Sequence, residues 1–244
     1  MEEFLSKPAE CIKKSCNKCE DLVLEQCYAK RPIDKAGSCG IFSFIFQKRI
    51  LVGNVGDSRA ILSKKGGQIK QGITVDHKPD DPGETERIKR HGGHVYRTAA
   101  PKLDGDTDPA LGEIKLPWRV MPGRLSVSRT FGDIAAKYRD LDGIPGVISA
   151  EPDVYEIELT DDLDFAILAC DGVFDRLEND YIIDLVWTEV KKHIFPDIHT
   201  ACEYMIHLIF RHSVQKLSYD NISIIFLAFK GFRDRLSLSN DSST

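Results

Sequence analysis

The sequence has 244 residues, of which 33 are lysine or arginine and 38 are aspartate or glutamate, giving a net charge of −5. A hydrophobic fraction of 42% is enough for a buried core in one large domain, so the composition excludes a chain that is disordered throughout. The isoelectric point near 5.8 and the lack of a lysine- and arginine-dense stripe argue against nucleic acid as a partner.

Membranes and oxidising compartments are disfavoured as well. The longest apolar runs fall far short of the ~18–20 residues that cross a bilayer, and the acidic start has no apolar signal core. Seven cysteines, an odd number in a chain without a signal peptide, are typical of reduced thiols. We therefore expect an intracellular protein, cytoplasmic or nuclear, that binds neither a membrane nor nucleic acid.

The first thirty residues have the apolar spacing of a helix. The side chains that share this predicted stripe are Ile12, Cys16, Cys19, Val23 and Cys27. The spacing Cys16-x-x-Cys19 also suits a zinc or iron–sulfur site. The structural interpretation is favoured, because free cysteine behaves as a small apolar residue and neither a second Cys-x-x-Cys nor a nearby histidine is present.

Strands are predicted from Gly37 onward. The runs Gly40 to Phe46, Arg49 to Val55 and Arg59 to Ser63 are apolar or β-branched and are separated by short turns. A helix is then expected to begin at Asp81-Pro82-Gly83-Glu84, with aspartate as the cap and proline in the first turn. It should end at His91-Gly92-Gly93.

The second half of the sequence is predicted to contain an irregular surface segment, strands and two helices. Residues 97–123 are rich in proline, glycine and aspartate and are predicted to be an irregular surface segment, followed by a short strand at 125–128. Residues 154–159 alternate as in a half-exposed strand, whereas 165–170 form a continuous apolar run typical of a buried strand.

Two amphipathic helices and one strand complete the predicted elements. The helical stripes are Ile182, Val186, Val190 and Ile194, and then Ile198, Cys202, Met205, Ile206 and Ile209. Residues 221–229 are expected to form the last strand, and the polar tail from Ser237 to Thr244 is expected to be mobile. Strands, paired helices and a closing strand indicate an α+β domain.

Four aspartates lie at strand ends. Asp171 directly follows the apolar run 165–170 and precedes a glycine, and Asp57, Asp175 and Asp220 lie at comparable boundaries. Carboxylates placed in this way suit hard cations such as Mg²⁺ or Mn²⁺. Spacing alone leaves the alternative open, because aspartate at a strand end is often only a turn former.

The four aspartates belong to a larger set of long sequence motifs that stand in a fixed order. The motifs are Gly37-Ser38-Cys39-Gly40, Asn54-Val55-Gly56-Asp57-Ser58-Arg59-Ala60, Asp76-His77-Lys78-Pro79, Glu86-Arg87-Ile88, Gly92-Gly93, residues 125–133, Glu151-Pro152-Asp153, residues 168–175 and Asp220-Asn221-Ile222-Ser223. Over about residues 25–230 the chain resembles the metal-dependent serine/threonine protein phosphatases of type 2C, the PPM family.

The resemblance implies a fold, a reaction and a ligand set. The fold is an α/β/β/α four-layer sandwich of two antiparallel sheets flanked by helices. The reaction is phosphomonoester hydrolysis by a water that bridges two Mg²⁺ or Mn²⁺ ions. By the same resemblance, Asp171 and Asp220 are metal ligands, and Asp57 and Asp175 join Asp171 at a weaker third metal. Residues 97–123 match the family's variable flap, which helps to choose substrates or partners.

Part of the family pattern has no counterpart in this sequence. Members carry an upstream phosphate-binding arginine and an Asp-Gly-His-Gly motif, whereas no Asp-Gly pair here precedes a histidine, and Cys39 replaces the usual threonine. We therefore expect the family's N-terminal strands to be missing, apolar sheet edges to be uncovered and catalysis to be impaired.

The predicted organisation is a helical segment at 1–36, a PPM-type phosphatase domain at 37–232 that is incomplete at its front, and a polar tail at 233–244. Two functions follow. One is a Mg²⁺- or Mn²⁺-dependent phosphatase acting on phosphoserine or phosphothreonine proteins, truncated or impaired in this chain. The alternative is a pseudophosphatase, a catalytically inactive module that binds a regulatory protein partner.

Overall fold

The computed structural model describes residues 2–98 and 116–236. Most of the predicted excursion at 97–123, and the predicted mobile tail from Ser237 to Thr244, lie outside the described residues. No helix among the described residues is both long and apolar enough to cross a membrane. The structure divides into two compact units, and each is described by itself.

The described residues form eight α-helices and eleven strands. The helices are α1 (Glu2–Ser6), α2 (Pro8–Ala29), α3 (Pro82–Arg90), α4 (Ile134–Lys137), α5 (Asp171–Phe174), α6 (Asn179–Val190), α7 (Ile198–Gln215) and α8 (Lys230–Arg233). The strands are β1 (Gly37–Ser38), β2 (Gly40–Phe46), β3 (Arg49–Val55), β4 (Arg59–Lys64), β5 (Ile69–Gly72), β6 (His94–Arg97), β7 (Trp118–Met121), β8 (Phe131–Gly132), β9 (Asp153–Glu158), β10 (Leu163–Ala169) and β11 (Ile224–Ala228).

The first unit contains two antiparallel sheets. It comprises the described residues of Met1–Ile12, Gly40–Asp76 and Pro152–Thr244. One sheet has the strand order β11-β10-β4-β5 and the other has the order β2-β3-β9. All residues of β10 are buried, which confirms the buried strand predicted from the apolar run 165–170.

Side chains of β4 alternate between two apolar cores. Ala60 and Leu62 pack with Ile50 and Val52 of β3, in the core that the two sheets share. Ile61 belongs to a second core, which contains the buried faces of α6 and α7. Because successive residues of a strand point to opposite faces, one strand can serve both cores. The arrangement confirms an α+β fold with two antiparallel sheets and flanking helices.

The two predicted helical stripes are largely correct. Ile182, Val186 and Val190 are buried on α6, and Met205 and Ile209 are buried on α7. Ile194 was expected on the first stripe and is instead 72% exposed. Helix α6 ends at Val190, so Ile194 lies beyond the helix and its side chain does not continue the buried stripe.

Strand β2 forms an apolar edge of its sheet that α1 covers in part. Among the described strands it pairs only with β3, and its sequence carries no charge. Phe44 is 46% exposed and Ile45 is 50% exposed, while the Phe4 ring of α1 lies 6.3 Å from that of Phe44 and 5.1 Å from that of Phe46. An edge of this kind favours pairing with another strand.

The second unit comprises the described residues of Lys13–Cys39 and His77–Glu151. Its helix α3 begins as predicted: Asp81 Oδ1 accepts hydrogen bonds from the backbone N–H groups of Gly83 and Glu84 at 2.9 and 3.1 Å. The predicted end is also correct, because Gly92, with a φ of 91°, follows the capping residue His91.

Glu84 on α3 is the centre of a buried ionic cluster. Its carboxylate accepts hydrogen bonds at 2.7 Å from Arg87 Nη2 and from Arg129 Nη2, and it also contacts the Ser128 hydroxyl. Burial raises the pKa of this carboxyl, but the bonds from Arg129, Arg87 and Ser128 outweigh it and lower the pKa to about 2. We call these four residues the Glu84 cluster.

Three predictions about the positions of helices and strands need correction. The helix expected over the first thirty residues is interrupted at Lys7, because the residue before a proline disfavours helical geometry. Residues 125–128 are not a strand, since the turn at Gly123 and Arg124 folds Leu125 back to a single bridge with Val120. Part of the segment expected to be irregular, 118–121, forms β7 and pairs with β6.

The buried face of α2 differs from the predicted stripe at two positions, because Glu20 and Leu24 are buried where Cys19 and Val23 were expected. Its buried residues are Pro8, Ile12, Cys16, Glu20, Leu24 and Cys27. Cys19 is exposed, and Glu20 takes the place that was expected for it. Glu20 is kept there by a hydrogen-bonded ion pair with Lys137 and by the backbone N–H of Gly132. The buried stripe is therefore partly ionic, which apolar spacing alone does not reveal.

Candidate metal centre

The antiparallel pairing of β10 with β11 brings two predicted ligands to the same end of a sheet. Asp171 follows the last residues of β10, and Asp220 precedes the first residues of β11. In the register, Ala169 pairs with Ile224, so the segment after β10 runs beside the segment before β11. Cys170 is extended, and the chain then turns into the short helix α5.

Close contacts fix these two segments against each other. The Cys170 thiol lies 3.2 Å from both the carbonyl oxygen of Asn221 and the backbone nitrogen of Ser223. The Ser218 hydroxyl donates to the carbonyl oxygen of Gly172 at 2.7 Å. A Cβ at Gly172 would lie 2.3 Å from the Asn221 oxygen, so only glycine permits this approach.

Three of the four predicted aspartates line one cavity. Asp171, Asp175 and Asp220 surround a volume of about 290 Å³, and the lining also includes Gly172, Arg176, Ser218 and Tyr219. We call this the acidic cavity. Asp220 also accepts a hydrogen bond from the backbone N–H of Asn221 at 2.7 Å, and Tyr219 is 87% exposed at its edge.

Asp57, the fourth predicted ligand, is placed differently. It lies just before β4, whose Arg59 pairs with Ala169 of β10, so it belongs to the same end of the sheet. Only 6% of Asp57 is exposed, and it is not among the described residues that line the acidic cavity. The assignment of Asp57 as a metal ligand stays a prediction.

Arg59 supports the turn that carries Asp171. Its Nε and Nη2 atoms donate to the two carboxylate oxygens of Asp76 at 2.9 and 2.8 Å, and its guanidinium lies 5.0 Å from the centre of the Phe174 ring. The hydrogen bond to Asp76 raises the pKa of Arg59, with further support from the charges of Asp76 and Asp175. This guanidinium is therefore committed to the protein itself.

The donor chemistry of the acidic cavity fits a hard divalent cation, but the geometry limits the number of carboxylates that can bind it directly. Carboxylate oxygens are the preferred protein ligands of Mg²⁺ and Mn²⁺. However, residues 2–98 and 116–236 contain no group of three or more His, Cys, Asp and Glu side chains that could hold a metal. The residues thus fit a cation that keeps much of its water and takes one or two carboxylates, as Mg²⁺ usually does.

Sequence reasoning did not identify three residues of the cavity. Arg176, Ser218 and Tyr219 line it beside the predicted aspartates. Their only sequence signal is adjacency: Arg176 follows Asp175 directly, and Ser218-Tyr219 precedes Asp220. The same structure gives no support to the cysteine-metal alternative, because Cys16 is buried and Cys19 is exposed on one helix.

Comparison with known proteins gives a consistent result. The family described as Protein phosphatase 2C matches residues 2–221. A relative from Oryza sativa subsp. japonica, "Probable protein phosphatase 2C 21", is 32% identical over 200 residues, covering 82% of this chain and 50% of the relative. "Protein phosphatase 1B" from Homo sapiens is 33% identical over 198 residues, covering 81% of this chain and 35% of the relative.

Solved structures share the fold at lower sequence identity. A sex-determining protein of C. elegans aligns with a TM-score of 0.69 and 20% identity, covering 91% of this chain and 47% of that one. The serine-threonine phosphatase 2C of Toxoplasma gondii aligns with a TM-score of 0.67 and 21% identity, covering 94% and 70%. The chain spans half or less of the two curated relatives, yet the family match covers most of its own length. The chain belongs to the protein phosphatase 2C family.

Proposed function

We propose that this chain carries the active site of a Mg²⁺- or Mn²⁺-dependent protein serine/threonine phosphatase. The family is metal-dependent, and membership supports the reaction class. The observation that carries the proposal is the placement of Asp171, Asp175 and Asp220 around one cavity at the end of β10 and β11. Asp57, at the same sheet end, is proposed as an accessory ligand.

Each group in the acidic cavity has a proposed task. One or two of the carboxylates of Asp171, Asp175 and Asp220 would bind the cation directly, and the remainder would contact it through its bound water. Ser218 would position the Asp171 turn through its bond to Gly172. A bound Mg²⁺ or Mn²⁺ supplies Lewis-acid polarisation of phosphate oxygens and activates water for attack at phosphorus. The exposed positions of Tyr219 and Asp220 make the cavity accessible to a phosphoserine or phosphothreonine side chain on a protein substrate.

The test is Mn²⁺-dependent hydrolysis of p-nitrophenyl phosphate and of a phosphothreonine peptide. The wild-type chain is compared with Asp171→Ala and Asp220→Ala. We expect metal-dependent turnover that falls at least about a hundredfold in both variants, because the developing charge on the phosphoryl group loses its stabilisation.

The matched control is Asp161→Asn. Asp161 is exposed and lies before β10, at the opposite end of the strand from Asp171. This variant should hydrolyse both substrates at the wild-type rate. Equal turnover in the wild type, Asp171→Ala and Asp220→Ala would contradict the proposal.

A second candidate function is a pseudophosphatase that binds a protein partner without catalysis. The observation that favours it is the limited set of close ligands, since the described residues hold no group of three or more metal-ligating side chains. Under this alternative, the purified chain would show no metal-dependent turnover of either substrate. Turnover that is lost in Asp171→Ala and Asp220→Ala would exclude it.

A further inference from the structure

The acidic cavity contains one cationic side chain that neither the family match nor the predicted ligand set explains. Arg176 directly follows Asp175 and lines the cavity together with Asp171 and Asp220. Its backbone is fixed, because its N–H donates to the carbonyl oxygen of Val173 at 3.1 Å in the turn after α5. The backbone of Arg176 is therefore held at the cavity by the turn that also carries Asp171 and Asp175.

The guanidinium of Arg176 is not committed to a protein partner. Within residues 2–98 and 116–236 its side chain makes no hydrogen bond or ion pair, although three carboxylates line the same cavity. Arg59, in the same unit, behaves in the opposite way and gives two hydrogen bonds to Asp76. Of these two arginines, Arg176 is the one whose donors remain available to a ligand.

The chemistry of an available guanidinium in this setting indicates a phosphate oxyanion. A guanidinium presents paired N–H donors that match two phosphate oxygens, and such charge-assisted bonds are among the strongest in proteins. The three carboxylates would repel an anion on their own, whereas a divalent cation would offset their charge. A cation of this kind commonly shares its coordination with substrate phosphate oxygens.

We propose that Arg176 is the phosphate-binding side chain of the acidic cavity, donating hydrogen bonds to the phosphate of a phosphomonoester held beside the divalent cation. The proposal rests on the proposed function, because it assumes that the carboxylates bind a cation. It adds a recognition residue that lies downstream of Asp175, and it requires phosphate binding to depend on both the cation and the guanidinium.

The experiment measures phosphate binding by isothermal titration calorimetry on the full chain in saturating Mg²⁺. The ligands are inorganic phosphate, a phosphothreonine peptide and the same peptide without phosphate. The variants are Arg176→Gln and Arg176→Lys, and the matched control is Arg233→Gln, an exposed arginine on α8 outside the cavity. Because Arg176 is exposed and makes no side-chain bond within the described residues, its variants should unfold at the wild-type temperature.

We expect Arg176→Gln to weaken binding of inorganic phosphate and of the phosphopeptide about tenfold, the scale of one charge-assisted hydrogen bond. Arg176→Lys should have a smaller effect, since it keeps the charge and loses the paired donors. Arg233→Gln should bind both ligands like the wild type, and the unphosphorylated peptide should not bind. Mg²⁺ affinity measured without phosphate should not fall in Arg176→Gln, because a positive charge has been removed from the cavity.

Three outcomes would overturn the proposal, and they separate it from the proposed function. If Asp171→Asn weakens Mg²⁺ binding but Arg176→Gln binds phosphate normally, the role of Arg176 is wrong and the cation site stands. If Arg176→Gln and Arg233→Gln weaken phosphate binding equally, the effect is one of net charge alone. If the wild type binds neither Mg²⁺ nor phosphate, both proposals are wrong.

Discussion

The Glu84 cluster and the acidic cavity use carboxylates in opposite ways. Glu84 is buried against two guanidinium groups and a hydroxyl, so its charge is neutralised inside the protein. In the acidic cavity, Asp175 and Asp220 have no ion pair within the described residues, and Arg176 beside them has none either. The difference suggests that charges satisfied internally maintain the fold, whereas charges left for an outside partner mark a site.

Replacing Glu84 should produce the largest change in stability. Glu84→Gln leaves Arg87 and Arg129 without their shared carboxylate in a mostly buried place, and breaking such a pair costs about 3–5 kcal/mol. Urea unfolding of the wild type and of Glu84→Gln measures the difference in the free energy of unfolding. Glu86→Gln, on the exposed side of the same helix, is the control and should leave the transition unchanged. Glu86 is paired with Arg90 in solvent, so equal transitions for both variants would show that burial of the ion pair makes no difference.

Acidification should gradually remove the stabilisation that the Glu84 carboxylate gives to the fold. The pKa of Glu84 is lowered in the folded state to about 2 from 4.5, so the ionised carboxylate stabilises the fold above about pH 4.5. This stabilisation is lost as the pH falls from about 4.5 to 2 and amounts to roughly 3 kcal/mol. The free energy of unfolding, measured against pH, should therefore fall more steeply in the wild type than in Glu84→Gln. Parallel curves would show that Glu84 titrates normally.

Replacing a carboxylate of the acidic cavity should have the smallest effect on the metal-free fold. Asp220→Asn removes a negative charge from a cavity with three carboxylates, so we expect stability without metal to stay within about 0.5 kcal/mol of the wild type or to rise slightly. Added Mn²⁺ should raise the unfolding temperature of the wild type much more than that of the variant. A marked loss of stability without metal would mean that Asp220 serves the fold, as Glu84 does.

Much of the scaffold could be predicted from sequence because it depends on local rules. The buried run at 165–170, the cap at Asp81 and the glycine after His91 each follow from one segment and its immediate neighbours. Cys19 and Glu20 show where this reasoning fails. Glu20 is buried because Lys137, far away in the chain, neutralises it, and no helical spacing contains that information.

The site was predicted only in part, for a related reason. Asp171, Asp175 and Asp220 could be identified because they belong to motifs, and the structure places them on one cavity. Arg176 and Ser218 could not, because their importance arises from the register of β10 with β11 and from the turn after α5. Asp57 shares the sheet end but does not line the cavity, a distinction that depends on the path of the chain before β4.

The most direct test of the central claim, that the acidic cavity binds a divalent cation, is a Mn²⁺ titration followed by the electron paramagnetic resonance signal of free Mn²⁺. The full chain, Asp171→Asn, Asp220→Asn and the control Asp161→Asn are compared at one protein concentration. We predict saturable Mn²⁺ binding in the wild type and in Asp161→Asn, and clear weakening in both cavity variants. Identical titrations for all four proteins would contradict the account.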